Sequence, residues 1–149
     1  MTHTITLRAF AIATGFAACL AAAMAQAQSF SLNGNWSGRY VYGDNRTAVE
    51  FTLELDARDN RCLGRIQEPN TFGEKSASHL FANVACLSSG VRPGREFRFI
   101  KQYDGTGGVS HAVQYSGVVS QDGNTVAGNW LILSSTSWST GQFSMSRAR

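Results

Sequence analysis

From Val49 the chain reads Val49-Glu50-Phe51-Thr52-Leu53-Glu54-Leu55, apolar side chains alternating strictly with polar ones. Alternation at period two puts the apolar set on one face of an extended strand and the polar set on the other, which a helix cannot do. The pattern recurs at Trp36–Tyr42, Cys62–Glu68, His79–Cys86, Glu96–Tyr103, Val109–Ser120, Thr125–Leu133 and Gln142–Arg147, bounded by Gly, Asp, Asn or Ser. Eight such runs with short links, and no convincing helical window downstream of the N-terminal segment, predict an all-β, antiparallel up-and-down meander. Fifteen Gly against two Pro suit tight turns, and only 15% charged residues exclude a disordered polyelectrolyte or a coiled coil.

Antiparallel partners must bring like faces together, so the register can be tested on the sequence. Asp122-Gly123 is a hairpin signal. Folding about it pairs Val119 with Val126, Gly117 with Gly128, Tyr115 with Trp130 and Val113 with Ile132. Folding the Asp104–Gly108 turn pairs Phe99 with Val113 and Phe97 with Tyr115, and the last hairpin sets Trp130 beside Met145. Placing Cys62 opposite Cys86 also places Ile66 opposite Ala82. One apolar face runs through every strand, so the expectation is an eight-stranded antiparallel barrel with a filled interior.

Ahead of the strands, Arg8 precedes the uncharged Ala-rich stretch Ala9–Ala25, which ends in Ala23-Met24-Ala25 and Ala25-Gln26-Ala27. A basic start, an apolar middle and a small-residue exit predict a secretory signal peptide over 1–27, cut near 25–27, rather than a membrane span. The domain is then 28–149, with twelve basic against ten acidic side chains. That balance gives no case for nucleic acid. Cys62 and Cys86 are its two cysteines, an even pair read as a disulfide in an oxidising compartment. The expected location is periplasmic or secreted, with a leader of bacterial character.

Gly34-Asn35-Trp36 opening the first strand, with Arg147 closing the last, resembles the calycin barrels, the lipocalin and avidin families. Tyr115-Ser116-Gly117 and Trp130-Leu131-Ile132-Leu133-Ser134-Ser135 add an avidin-like pattern. The resemblance implies that Trp36 lies across one end of the barrel with Arg147 packed on it, and that binding takes place at the other end. The biotin-binding positions are not matched: His111, Val113, Tyr115 and Gly141 stand in their places. The Thr-Asp-Tyr-like motif and C-terminal helix of lipocalins are missing as well.

The links 43–47, 69–77, 104–108 and 134–140 share the end opposite Trp36. On the inward face below them, the meander register sets Lys101 opposite His111, with Tyr42 and Tyr103 near the rim, Glu68 at the same level and Trp138 in a link. Two facing potential cations depress each other's pKa unless an anion or Glu68 lies between them. Tyr42, Glu68, Lys101, Tyr103, His111 and Trp138 are therefore the candidate ligand-binding residues, for a small apolar or acidic ligand. Alternatively, Lys101 reaches solvent along its stem and His111 is an ordinary hydrogen-bonded barrel residue.

The opposite end gathers Arg58, Arg61, Arg92 and Arg95, with Arg65 and Arg98 nearby, among Asp56, Asp59, Glu96 and Asp122. On the outward face Phe81, Ile100, Ala112 and Leu133 are expected in one row, a candidate partner surface that also allows a homo-oligomer. No nucleophile motif, phosphate loop, cofactor fingerprint or metal-ligand spacing occurs, so no catalytic residue, metal or cofactor is expected. The sequence thus reads as an exported non-enzymatic binding protein. The alternative is an inhibitor or surface-interaction protein acting through its loops and outer apolar face.

Overall fold

The computed structural model describes residues 30–43, 47–58, 61–88, 90–133 and 138–149, the side chains of Leu133 and Trp138 excepted. The expected signal peptide over 1–27 therefore lies outside the described residues. Eight strands follow in chain order: β1 (Gly34–Tyr42), β2 (Val49–Arg58), β3 (Arg61–Pro69), β4 (His79–Cys86), β5 (Glu96–Tyr103), β6 (Ala112–Val119), β7 (Thr125–Leu133) and β8 (Trp138–Arg147). Each pairs antiparallel with the next, and β8 returns to β1, closing the barrel. Apart from a one-turn 3-10 helix at Thr106–Gly108, these are the only regular elements among the described residues. None of the described helices is long and apolar enough to cross a membrane.

Alternation becomes burial directly. In β2, Val49, Phe51, Leu53 and Leu55 are buried and Glu50, Thr52, Glu54 and Asp56 are exposed. The interior is largely aromatic: Phe99 and Tyr115 stack at 4.7 Å and 7°, and Phe143 meets Tyr115 edge-on at 5.0 Å. Glycine makes room for these rings in so narrow a barrel. A Cβ on Gly38 would collide with the Phe51 ring, and one on Gly141 would strike the Val41 carbonyl and the Trp130 indole.

The β6–β7 register is the expected one, Val119 facing Val126, Gly117 facing Gly128 and Tyr115 facing Trp130. Gly123, at φ 72°, supplies the left-handed turn residue. Ile66 faces Ala82, and Cys62 and Cys86 are disulfide-bonded with Cα atoms 5.3 Å apart.

Two hairpins differ from expectation. Across β5–β6, Phe99 faces Tyr115 and Phe97 faces Gly117, a shift of two residues. The cause is the connection from 104 to 111, where Gly105, Gly107 and Gly108 all take positive φ around the 3-10 turn. Across β7–β8, Trp130 faces Gly141, and Met145 faces Val126. Gly141 is a strand residue pressed against Trp130, so β8 starts at Trp138, four residues before the expected Gln142. Both shifts are even, so inward residues stay inward.

The expected outer row is not formed. Phe81 faces Gln67, while Ile100 lies between Ala85 and Gln114, four residues away along β4. The link after Cys86 sets β5 in a different register from the one assumed. Leu133 pairs with Trp138 through the backbone, and its side chain lies outside the described set.

Candidate functional site

The end capped by Trp36 is closed by side chains. Arg147 stands opposite Trp36 in the β1–β8 ladder and lays its guanidinium carbon 4.6 Å over the indole ring. It donates to the carbonyls of Asn33, at 2.8 Å, and of Ser31. The indole N–H of Trp36 donates to the Leu32 carbonyl at 2.9 Å. Tryptophan, arginine and the entering strand thus form one plug, in the arrangement that the resemblance of Gly34-Asn35-Trp36 and Arg147 implied.

Toward the other end the interior changes character. Glu68 and Lys101 are its buried charged residues, each 1% exposed. Glu68 comes from the end of β3, where it faces Leu80, and Lys101 from β5, where it faces Val84 on one side and Val113 on the other. Their side chains meet across the interior, Lys101 Nζ donating to Glu68 Oε2 at 2.5 Å. Lys101 also donates to the Tyr103 hydroxyl at 2.7 Å, and that hydroxyl donates to Glu68 Oε1. The Tyr40 hydroxyl reaches the same Oε1 at 3.4 Å. The ammonium further lies 4.3 Å from the Tyr103 ring centre and 5.1 Å from that of Tyr40.

Burial dominates the electrostatics of this cluster. Desolvation lowers the Lys101 pKa to about 8, opposed by the Glu68 charge and hydrogen bond. Desolvation raises the phenols of Tyr40, Tyr103 and Tyr115, with the Glu68 charge adding to it. Lys101 and Glu68 thus form a buried ion pair beside phenols held in their neutral form. No buried side-chain nitrogen or oxygen among the described residues lacks a hydrogen-bond partner. A fully satisfied buried ion pair is costly to break and gives little advantage over an apolar core.

Two hydrogen-bonded links sit above it. Asn70 donates from Nδ2 to the carbonyls of Glu74 at 2.7 Å and Ala77 at 2.8 Å, and accepts from the Gly73 N–H at 2.7 Å. The Glu74 N–H donates to the Gly107 carbonyl at 2.8 Å, tying this link to the one before β6. Phe72 therefore stands on a fixed loop, 44% exposed, with its ring edge toward Tyr103 at 5.8 Å and tilted toward His111 at 6.1 Å.

The expected site residues separate into three groups. Glu68, Lys101 and Tyr103 come together in the buried cluster. His111 does not face Lys101: its backbone carbonyl accepts from the Tyr103 N–H at 3.2 Å, and its ring lies 4.9 Å from that of Tyr103, exposed at the surface. Its pKa is lowered by desolvation, then by Lys101. Tyr42 packs edge-on against Trp130 at 4.9 Å and Tyr40 at 5.9 Å. The Trp138 side chain lies outside the described set.

Tyr40 and Phe72 belong to the site without having been singled out for it. Tyr40 reads in the sequence as one more interior aromatic, and only the closure of β1 toward Glu68 reveals its hydroxyl. Phe72 carried a signal as an apolar residue in a polar link. No group of three or more metal-ligating side chains occurs among the described residues. Searches against family models, curated proteins and solved structures return no match to this chain.

Proposed function

We propose that this chain is an exported, calycin-like binding barrel without enzymatic activity, holding a small apolar or acidic ligand at the end opposite Trp36. The observation that supports it is the Glu68–Lys101–Tyr103–Tyr40 cluster, polar and hydrogen-bonded in an otherwise apolar interior, directly beneath the links of that end. An apolar filling would serve stability as well. A fixed set of donors and acceptors under an aromatic cover is what orients a ligand.

Phe72 and His111 form the cover over Tyr103 in this reading, and a ligand enters by displacing the Phe72 ring. Its apolar body replaces Phe72 against Tyr103. Glu68 already provides the carboxylate that Lys101 requires, so an acidic ligand reaches the ammonium by sharing it with Glu68, against the repulsion between the two carboxylates. An apolar ligand leaves that pair intact.

Native mass spectrometry of the protein from its exported fraction tests the reading. A retained small molecule supports it. Lys101→Met then separates the ligand classes, an acidic ligand being lost and an apolar one kept. A protein that arrives empty and binds nothing from its own compartment overturns it. The second reading, an inhibitor or surface-interaction protein, is favoured by the exposure of Phe72 on a hydrogen-bonded loop. It predicts that Phe72→Ala abolishes capture of a protein partner while leaving small-molecule binding untouched.

A further inference from the structure

The charge on this barrel is unevenly divided between its ends. Among the described residues, the links, strand ends and C-terminal tail on the Trp36 side hold seven arginines against three carboxylates, whereas the remainder hold four bases against five acids. The excess positive charge of the described residues therefore sits at one end. Two of the carboxylates there are engaged, Asp56 with Arg58 at 2.7 Å and Glu96 with Arg98 at 3.5 Å. Asp122 is held by Ser120 and Asn124. Exposed Arg61, Arg92 and Arg95 form no ion pair among the described residues.

Apolar surface is concentrated on one side of the same end. Leu63, Leu87 and Val118 are 48%, 50% and 55% exposed. Leu63 faces Ala85 across β3–β4, with Ile100 next in that row on β5. The Leu87 N–H donates to the Arg98 carbonyl at 2.8 Å, and Val118 faces Glu96 on the far side of β5. Leu87 and Val118 thus flank β5 two strand spacings apart and two residues offset along it, about 12 Å from each other. Leu87 also borders a groove of about 290 Å³, walled by Phe30, Leu32, Val91 and the disulfide, with Arg58 and Arg61 on its rim.

From this coincidence of exposed aliphatic side chains with unpaired arginines, we propose that the outer side of β3–β6 at the Trp36 end docks onto an anionic phospholipid surface. Leu87 and Val118 enter the interfacial layer, and Arg61, Arg92 and Arg95 face the phosphates. Charge complementarity selects this occupant, because a cationic rim around apolar side chains matches a layer whose phosphates overlie hydrocarbon. The ligand end points away from the lipid and stays open to solvent.

Vesicle flotation of the exported protein tests the proposal, with phosphatidylcholine alone and with phosphatidylglycerol added. Flotation is expected with phosphatidylglycerol only, weakening as salt rises. Arg61→Gln and Arg92→Gln each lower affinity about fivefold, the equivalent of ~1 kcal/mol per basic residue at an anionic surface. Leu87→Ser lowers it about tenfold or more, and Val118→Ser, at a position already exposed, gives an independent second reading. Arg39→Gln, on the outward face of β1, leaves flotation unchanged. The proposal is overturned by no flotation, by equal flotation without phosphatidylglycerol, or by an equal loss in Arg39→Gln. Unaltered binding of both Leu87→Ser and Val118→Ser also overturns it, leaving only diffuse attraction of a basic chain. Tight binding of monomeric dodecyl phosphate that Leu87→Ser abolishes, without flotation, assigns the groove to a free amphiphile instead.

Discussion

Arg147 and Trp36 face each other across the strand pair that closes the barrel, and the arginine spends its two terminal nitrogens on the chain entering β1 rather than on a carboxylate. Arg147→Met keeps the apolar stem over the indole and removes the cation and both hydrogen bonds. The expected cost is about 2 kcal/mol in urea denaturation, with faster proteolysis at 30–33. A loss below about 0.5 kcal/mol would mean that the strand pairing alone seals this end.

The buried pair gives a sharper contrast. Lys101→Met leaves the Glu68 carboxylate unpaired in the interior, and Glu68→Gln does the same to the ammonium. Each single change should cost about 3–5 kcal/mol. Lys101→Met combined with Glu68→Leu removes both charges and should recover most of that loss. A double-mutant cycle by chemical denaturation measures the coupling; additive losses would count against a coupled pair.

Alkaline pH acts on the same cluster in two opposing directions. The folded protein releases the Lys101 proton near pH 8, while the unfolded chain holds it to about 10.4. Between those values the unfolded state binds more protons, so stability rises with pH. Above about pH 10 the unfolded tyrosines ionise while Tyr40, Tyr103 and Tyr115 stay protonated in the fold, and stability falls. The denaturation midpoint should therefore peak between about pH 8 and 10. Lys101→Met should abolish the rise and keep the fall.

Gly141 should tolerate no side chain. A Cβ there meets the Val41 carbonyl, which accepts the Trp130 indole N–H at 3.0 Å, and the indole itself. Gly141→Ala should cost about 1–3 kcal/mol, with a change in Trp130 fluorescence. Serine at both Cys62 and Cys86 should cost roughly 3–3.5 kcal/mol by loop-closure entropy, and reduction of the native protein should match it.

These residues also show where the sequence could be read. The alternating faces predict which side chains point inward, and the Asp122-Gly123 turn sets the β6–β7 register because its geometry is local. The β5–β6 and β7–β8 registers depend on how much chain a turn consumes. Three positive-φ glycines and a 3-10 turn lengthen one, and Gly141, a residue type typical of turns, lies inside a strand in the other. In the site, Glu68, Lys101 and Tyr103 were legible as inward polar residues near one end. The Glu68–Lys101 contact was legible only as one alternative, because the two lie four β4 residues apart in the ladder and meet through the curved interior. Tyr40 escaped notice for the same reason.

Closure between β1 and β8 has a consequence for how the molecule is made. The first strand in the sequence finds its second partner only in the last, more than a hundred residues later. During synthesis, Trp36, Tyr40 and the edge of β1 have no cover until β8 emerges, so the ring joins last and joins slowly. The β3–β4 hairpin, with both cysteines, is complete long before that point and can be cross-linked early. A chain ending before residue 138 would keep seven strands and two bare edges. Such a chain would assemble edge to edge with its neighbours rather than fold alone.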